Sequence, residues 1–262
     1  MDLYYLFLGL IQGFVEWLPV SSKTVLLLFS AYVFGKSLSA SYTISIALQG
    51  GTVASAAAYF RRDLLRILRE IWLLRFLLIA TITTGVVGVP LYLVSERILE
   101  KTSRVEIPTI VIGVILTVQA VIASRIKSSS VKSASSISLV ESILFGIVQG
   151  VAALPGVSRS GATLALLLLL GYGLDDAMRL SFLASILANS GALATAYLFS
   201  RETLATATHD MTILIISFTI SSVVGFLTIG SLISLASRYR YKMTLAMGLA
   251  TIALGVLLLT LV

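Results

Sequence analysis

Residues 9–23 read GLIQGFVEWLPVSSK, and residues 146–159 read GIVQGVAALPGVSR. Gly9, Gln12, Gly13, Pro19, Ser22 and Lys23 return as Gly146, Gln149, Gly150, Pro155, Ser158 and Arg159, at a spacing of 137 residues that drops to 136 at the proline. Val86-Val87-Gly88 returns as Val223-Val224-Gly225 at the same spacing, and the small-residue stretch before Tyr59 has a looser echo before Tyr197. An ordered series of matches over most of the chain reads as an internal duplication. The first repeat covers about residues 1–124, a basic, Ser-rich connector about 125–138, and the second repeat about 139–262. The connections are too short to hold another folded unit, so residues 1–262 are read as a single membrane domain.

The solvent of this chain is a bilayer: 58% of its residues are hydrophobic and only 12% charged. Apolar runs at residues 41–60, 76–95 and 107–124 in the first repeat, and at 178–200, 211–235 and 243–262 in the second, are long enough to cross as helices. Three crossings per repeat are odd in number, so the second copy enters the membrane upside down. The basic residues agree. Arg61, Arg62, Arg66, Arg69 and Arg75, then Arg125, Lys127 and Lys132, then Arg238, Arg240 and Lys242 fall in alternate loops, which the positive-inside rule places in the cytoplasm. Both termini then face outward. Asp2 stands where a cleaved signal would carry basic residues, so the first run is read as part of the domain. The net charge of +7 flanks membrane spans and is read as anchoring to anionic membrane lipids, with no nucleic-acid partner. There are no cysteines, which excludes disulfides and thiolate chemistry. The expected fold is all-α: a polytopic membrane protein of two inverted-topology repeats, with about six transmembrane helices.

Residues 3–35 and 139–172 carry the repeated motif and are interrupted by proline and hydroxyl residues, so each is expected to dip into the membrane and return as a re-entrant helix pair. Entering from opposite faces, their broken middles meet near the midplane. Irregular backbone survives there only when buried in protein or lining a wet cavity. One turn brings Gln12, Glu16, Ser21, Ser22 and Lys23; the other brings Ser158, Arg159, Ser160 and Thr163. Arg159 offers a planar fork of donors to phosphate, Lys23 a point charge, and the hydroxyls and helix starts further donors. Glu16 is costly in an apolar stretch unless it is paired, binds a cation or acts as a base. A structural Glu16–Lys23 pair is the plainer alternative.

At these residues the sequence resembles the undecaprenyl-diphosphatases, also called bacitracin-resistance proteins. A Glu or Gln four residues before a Glu, then a proline and paired serines, is matched by Gln12, Glu16, Pro19, Ser21 and Ser22. The Pro-Gly-x-Ser-Arg-Ser-Gly-x-Thr signature stands complete as Pro155, Gly156, Ser158, Arg159, Ser160, Gly161 and Thr163. Similarity also runs from Gln49-Gly50-Gly51 to Arg61-Arg62 and, more weakly, through the last spans. The resemblance implies a plasma-membrane phosphatase with its pocket facing outward. It would cleave a polyprenyl diphosphate lipid to the monophosphate carrier of cell-surface glycan synthesis. It also implies a divalent cation, magnesium or calcium, with Gln12 and Glu16 as ligands. Ser22 is the candidate nucleophile, with Glu16 and Arg159 beside it as catalytic residues. Ser21, Lys23, Gly156, Ser158, Ser160, Gly161 and Thr163 are the expected phosphate-binding set. If no serine attacks, water does. A homodimer is an allowed assembly.

One departure stands out: many members carry a histidine where this chain has Val25, and Lys23 is also unusual there. The lone histidine, His209, falls in a loop expected outside and is read as a solvated bystander. The competing reading is a transporter or flippase for a lipid phosphate or another anion, which inverted repeats with broken helices also suit. Asp175 and Asp176 suit a helix start, and Gly9 with Gly13 and Gly146 with Gly150 suit close helix packing.

Overall fold

The computed structural model describes residues 3–67, 69–102, 104–126, 132–208 and 211–261. Helices α1 (Leu3–Val15) and α2 (Ser22–Phe34) form the first broken pair. They are followed by α3 (Leu38–Leu48), α4 (Gly51–Tyr59), α5 (Arg61–Ile67), α6 (Ile71–Glu100) and α7 (Glu106–Ser124). The second broken pair is α8 (Leu139–Val151) and α9 (Arg159–Leu169), followed by α10 (Leu174–Phe199), α11 (Arg201–Thr208) and α12 (Met211–Leu261). Among the described residues there is no strand beyond one isolated bridge, Lys132 to Tyr172. Among the described residues, five stretches are long and apolar enough to cross a bilayer: Ile71–Glu100, Glu106–Ser124, Leu174–Phe199, Leu214–Tyr239 and Tyr241–Thr260. The protein is an all-α polytopic membrane protein. Its large exposed side chains, such as Leu78, Ile82, Val86 and Ile98 on α6, are apolar because lipid faces them.

Two expectations change in detail. The run 41–60 is divided between α3 and α4, because Gly50 and Gly51 are poor at holding a regular helix. Gln49, Gly50, Thr52 and Val53 donate to carbonyls three residues back rather than four, so the chain tightens there without leaving helical dihedrals. At 238–242, where basic residues suggest a loop, helical bonding continues through α12, since no glycine or proline interrupts it. The two apolar stretches of α12 meet different neighbours: the first lies on α1 and α4, the second on α7. Part of the expected connector, residues 127–131, and His209 lie outside the described residues.

Small residues set these contacts. A Cβ added at Gly9 would lie 2.7 Å from the Ser217 carbonyl oxygen, and one added at Gly146 would lie 2.7 Å from that of Ala80. One at Gly13 would meet Val224 Cβ at 2.9 Å, and one at Gly150 would meet Val87 Cβ at 2.7 Å. Each broken pair therefore rests on a long helix from the other half of the chain, through residues that stand 137 positions apart in sequence. Backbone this close has no room for a methyl group. Gly13→Ala and Gly150→Ala should each cost about 1–3 kcal/mol by overpacking. Gly85→Ala, where an added Cβ has nothing within 4 Å, should stay within about 0.5 kcal/mol of the parent. Thermal unfolding of the three variants in one detergent checks the contrast.

Candidate functional site

Both motif turns leave the helix at a point that ordinary residues resist. Ser21 sits in the left-handed region at φ 63°, a strain of about 1–3 kcal/mol for a non-glycine residue, while Gly156 takes φ 90° in the opposite turn. The turns bond directly to one another. The Val157 carbonyl accepts from Lys23 Nζ at 2.5 Å and from Ser21 Oγ at 3.4 Å. Gly156 N–H donates to Thr24 Oγ1 at 3.1 Å, and Ser160 Oγ donates to the Leu18 carbonyl at 3.4 Å. Neighbouring helices satisfy what remains. Gln119 on α7 accepts from Ser158 N–H at 2.9 Å and donates to its carbonyl at 3.0 Å. Tyr42 on α3 donates to the Ala153 carbonyl at 2.6 Å, and Thr244 on α12 donates to the Pro19 carbonyl.

Glu16 is the centre of this arrangement and is 5% exposed. Its Oε2 accepts from Gln12 Nε2 at 2.9 Å and from Ser22 Oγ at 2.6 Å. Its Oε1 accepts from Arg159 at 2.7 Å and from Asn189 Nδ2 at 2.9 Å. The carboxylate therefore pairs with Arg159, across the two turns, rather than with Lys23. Lys23 is 3% exposed and its ammonium meets a carbonyl, while Arg159 Nη1 is buried with no partner. Two formal cations around one formal anion leave the buried site at net +1, which an anionic ligand would neutralise.

There is space for such a ligand. A cavity of about 200 Å³ opens beside the site, with Lys23, Gln49, Tyr92, Gln149, Arg159 and Asn189 on its wall. A narrow recess of about 20 Å³ is lined by Glu16, Ser21, Ser22, Ser158 and Ser160 and shares Lys23, Gln49 and Arg159 with it. The large cavity lies between α6 and α10, bordered by Thr84 and Gly88 on one helix and Ala188 and Ala192 on the other. Their counterparts in the duplication, Ser221, Gly225, Gly51 and Ser55, are packed together instead: a Cβ added at Gly51 would lie 3.0 Å from Ser221 Cβ, and one at Gly225 would lie 2.8 Å from Ser55 Oγ. The cavity thus occupies one side of the site only.

The structure brings Gln12, Glu16, Ser21, Ser22, Lys23, Ser158, Arg159 and Ser160 together, and gives three other motif residues different surroundings. Thr163 Oγ1 donates to the Arg159 carbonyl at 2.9 Å and contacts Ser181 Oγ at 2.7 Å, tying α9 to α10. A Cβ at Gly156 would strike the Ile112 backbone at 3.0 Å, and one at Gly161 would strike Gln119 Nε2 at 2.7 Å, so both glycines make room for α7. Ser158 Oγ caps α9 by accepting from Gly161 N–H. Val25 is half-buried in the first turn of α2. Asn189 was not anticipated; its signal was the single amide in the apolar run 178–200.

The donors also suit a hard cation. No cluster of three His, Cys, Asp or Glu occurs among the described residues. Magnesium, however, commonly takes one or two carboxylates and completes its shell with substrate oxygens and water. Gln12 Oε1 is buried without a partner next to Glu16, and an oxygen so placed fits that habit.

An α-helical membrane protein with a buried, net-cationic hollow of hydroxyls, amides and one carboxylate belongs, by its chemistry, among the proteins that handle phosphate at the membrane. The chain belongs to the family described as bacitracin resistance protein BacA, whose family model matches residues 5–257. It is 42% identical over 235 residues to an undecaprenyl-diphosphatase of Sulfurisphaera tokodaii, covering 88% of each chain. It is 36% identical over 267 residues to one of Saccharolobus solfataricus, covering 95% of this chain and 94% of the relative. Over 260 residues it is 36% identical to one of Pyrobaculum aerophilum, covering 95% and 96%.

The formal excess of one positive charge in the hollow predicts that anions stabilise the protein. Inorganic diphosphate at about 100 times its dissociation constant should stabilise the fold by about 2.7 kcal/mol, read as a raised unfolding temperature. Chloride at matched ionic strength should not, and Lys23→Met should lose most of the rise.

Proposed function

We propose that this chain hydrolyses a polyprenyl diphosphate of the undecaprenyl type to the monophosphate and inorganic phosphate, returning the lipid carrier to cell-surface glycan synthesis. The observation that carries the reading is one buried carboxylate, Glu16, bonded at once to the Ser22 hydroxyl at 2.6 Å and to Arg159 at 2.7 Å beside an open cationic cavity. Glu16 Oε2 takes the Ser22 proton as Oγ attacks the terminal phosphorus. The new Oγ–P bond forms as the bridging P–O bond breaks, and the polyprenyl monophosphate leaves with the proton that Glu16 had taken, so the carboxylate is free again. Water then attacks the phosphoserine, its proton passing to Glu16, and inorganic phosphate departs as Ser22 Oγ regains a proton from the carboxyl. Arg159 and Lys23 hold the phosphoryl oxygens and offset the charge that spreads over them. Ser21, Ser158 and Ser160 add hydroxyl donors, and Gly156, Gly161 and Thr163 shape the turn that presents Arg159. A magnesium or calcium ion held by Glu16 and Gln12 would supply further positive charge at the phosphate. The names of the relatives favour hydrolysis over the transporter reading.

The reading includes the two-repeat organisation, supported by the exchanged packing of the broken pairs on helices of the opposite copy. It places the site toward the outside of the plasma membrane. The cavity is lined by Thr81 to Tyr92 of α6 and Leu187 to Thr195 of α10, the later parts of both helices, away from the arginines of α5. Both turns come from one chain, so a single copy completes the site.

Purified protein given a long-chain polyprenyl diphosphate with magnesium or calcium should release phosphate. Glu16→Gln, Ser22→Ala and Arg159→Ala should each lower kcat/KM by about 10²–10³-fold or more, the scale of losing a group that acts on the transition state. Absence of release by the parent protein with either metal would sink the reading. For orientation, Thr102→Cys in this cysteine-free chain should react with an impermeant thiol reagent on intact cells, whereas Ser133→Cys should react only after lysis. The reverse pattern would place the cavity on the cytoplasmic side.

A further inference from the structure

Arg159 has two demands on it. Its Nη2 holds Glu16 Oε1 at 2.7 Å, yet phosphate is gripped best when the whole guanidinium fork turns toward it. If the fork transfers to the diphosphate, Oε1 loses its charged partner in a place with little access to water. A buried carboxylate left short of donors moves or takes up a proton, and either change spoils its aim at Ser22.

The one other side chain bonded to Oε1 among the described residues is Asn189, with Nδ2 at 2.9 Å. Asn189 belongs to neither motif turn. It stands on α10, which is tied to its surroundings at both ends and between. Arg179 pairs with Asp63 at 2.7 Å, Ser181 contacts Thr163, and Ser200, at the helix end, bonds to Tyr92 at 2.8 Å. The amide is 3% exposed, and its Nδ2 also reaches Thr52 Oγ1 at 3.5 Å. Thr52 in turn donates to the Gln49 carbonyl at 2.9 Å, so a second helix steadies the amide. Asn189 lines the large cavity as well, facing the space the diphosphate would fill. A neutral donor on a fixed helix is not drawn away by an arriving anion, as a guanidinium is.

We propose that Asn189 is a positioning residue for the hydrolysis, keeping Glu16 directed at Ser22 while Arg159 transfers from the carboxylate to the substrate. This rests on the diphosphatase reading above. Gln12 and Ser22 hold the other oxygen, Asn189 holds Oε1, and the carboxylate stays in place with its charged partner gone.

The test compares Asn189→Leu, which fills the space without a donor, with Asn189→Gln, which restores an amide. Rates are counted per folded molecule from the unfolding shift that inorganic diphosphate produces. Asn189→Leu should lower kcat by about 10- to 100-fold, the effect of losing one hydrogen bond to a charged group, with KM within about threefold of the parent and the diphosphate shift retained. Asn189→Gln should recover part of the loss in kcat. Wild-type kcat in Asn189→Leu would overturn the proposal, as would a loss confined to KM, which would make Asn189 a substrate ligand. No recovery in Asn189→Gln would count against it too, reducing Asn189 to packing. If the parent protein releases no phosphate at all, the hydrolase reading fails and takes this one with it; a working parent with an indifferent Asn189 fails this one alone.

Discussion

The contact between Glu16 and Arg159 joins, side chain to side chain, two turns whose other bonds run from a side chain of one to the backbone of the other, and it does so where water is scarce. A buried ion pair is weak support for stability, since desolvating two charges can cost as much as their attraction returns. Here the carboxylate has three neutral donors besides the arginine, which changes the balance. The same rule governs the irregular backbone around it. The carbonyls of Leu18, Pro19, Ala153 and Val157 have left helical bonding and each finds a side-chain donor from elsewhere in the fold. Broken helices are tolerated at this depth because surrounding helices supply partners that a lipid tail cannot.

Much of this was legible in the sequence because membrane chemistry limits what polar residues can mean. A carboxylate, a lysine and an arginine within apolar runs, beside prolines and serines, announced the two turns, and their repetition announced that they meet. Less could be read where the signal was ambiguous. Gly50 and Gly51 lie in a run that hydropathy treats as one span, though two adjacent glycines loosen a helix. At 238–242 charge argued for a loop while helix-compatible residues carried the helix onward, and the local backbone preference prevailed. The Glu16–Lys23 alternative was plausible by proximity in sequence, but α2 turns Lys23 onto the Val157 carbonyl of the opposite turn and leaves Glu16 to Arg159. Asn189 lay outside every motif, and an amide in an apolar helix does not announce its partner. The motif's Thr163 and glycines illustrate the converse: membership in a signature does not say whether a residue meets the ligand or holds the turn in shape.

The one-sided cavity adds a constraint that duplication alone does not explain. Gly51 and Gly225 close a helix contact, while the residues 137 positions away from them, Ala188 and Gly88, border the cavity. One interface is filled and the one at matching sequence positions is open. The same asymmetry separates the polar residues: Glu16 and Lys23 come from one turn, and the second turn carries Arg159 where the first has Lys23 and has no acid matching Glu16. Packing on one side thus supports chemistry on the other, and only the duplicated frame is shared.

Charge offers the final step. With Lys23 held to a neutral carbonyl and one Arg159 nitrogen lacking a protein partner, the positive charge of the hollow is poorly compensated by the protein, and the left-handed Ser21 adds strain beside it. Such local conflicts with stability gather at functional sites because the ligand resolves them. In the proposed hydrolysis a diphosphate would bring more negative charge than the site's single excess cation neutralises, so Arg159 would release part of its hold on Glu16 and a divalent cation would add the missing charge. Once the terminal phosphate has gone, the lipid retains less charge and the arginine can return to the carboxylate. On that proposal the pair that organises the resting site would also favour product release.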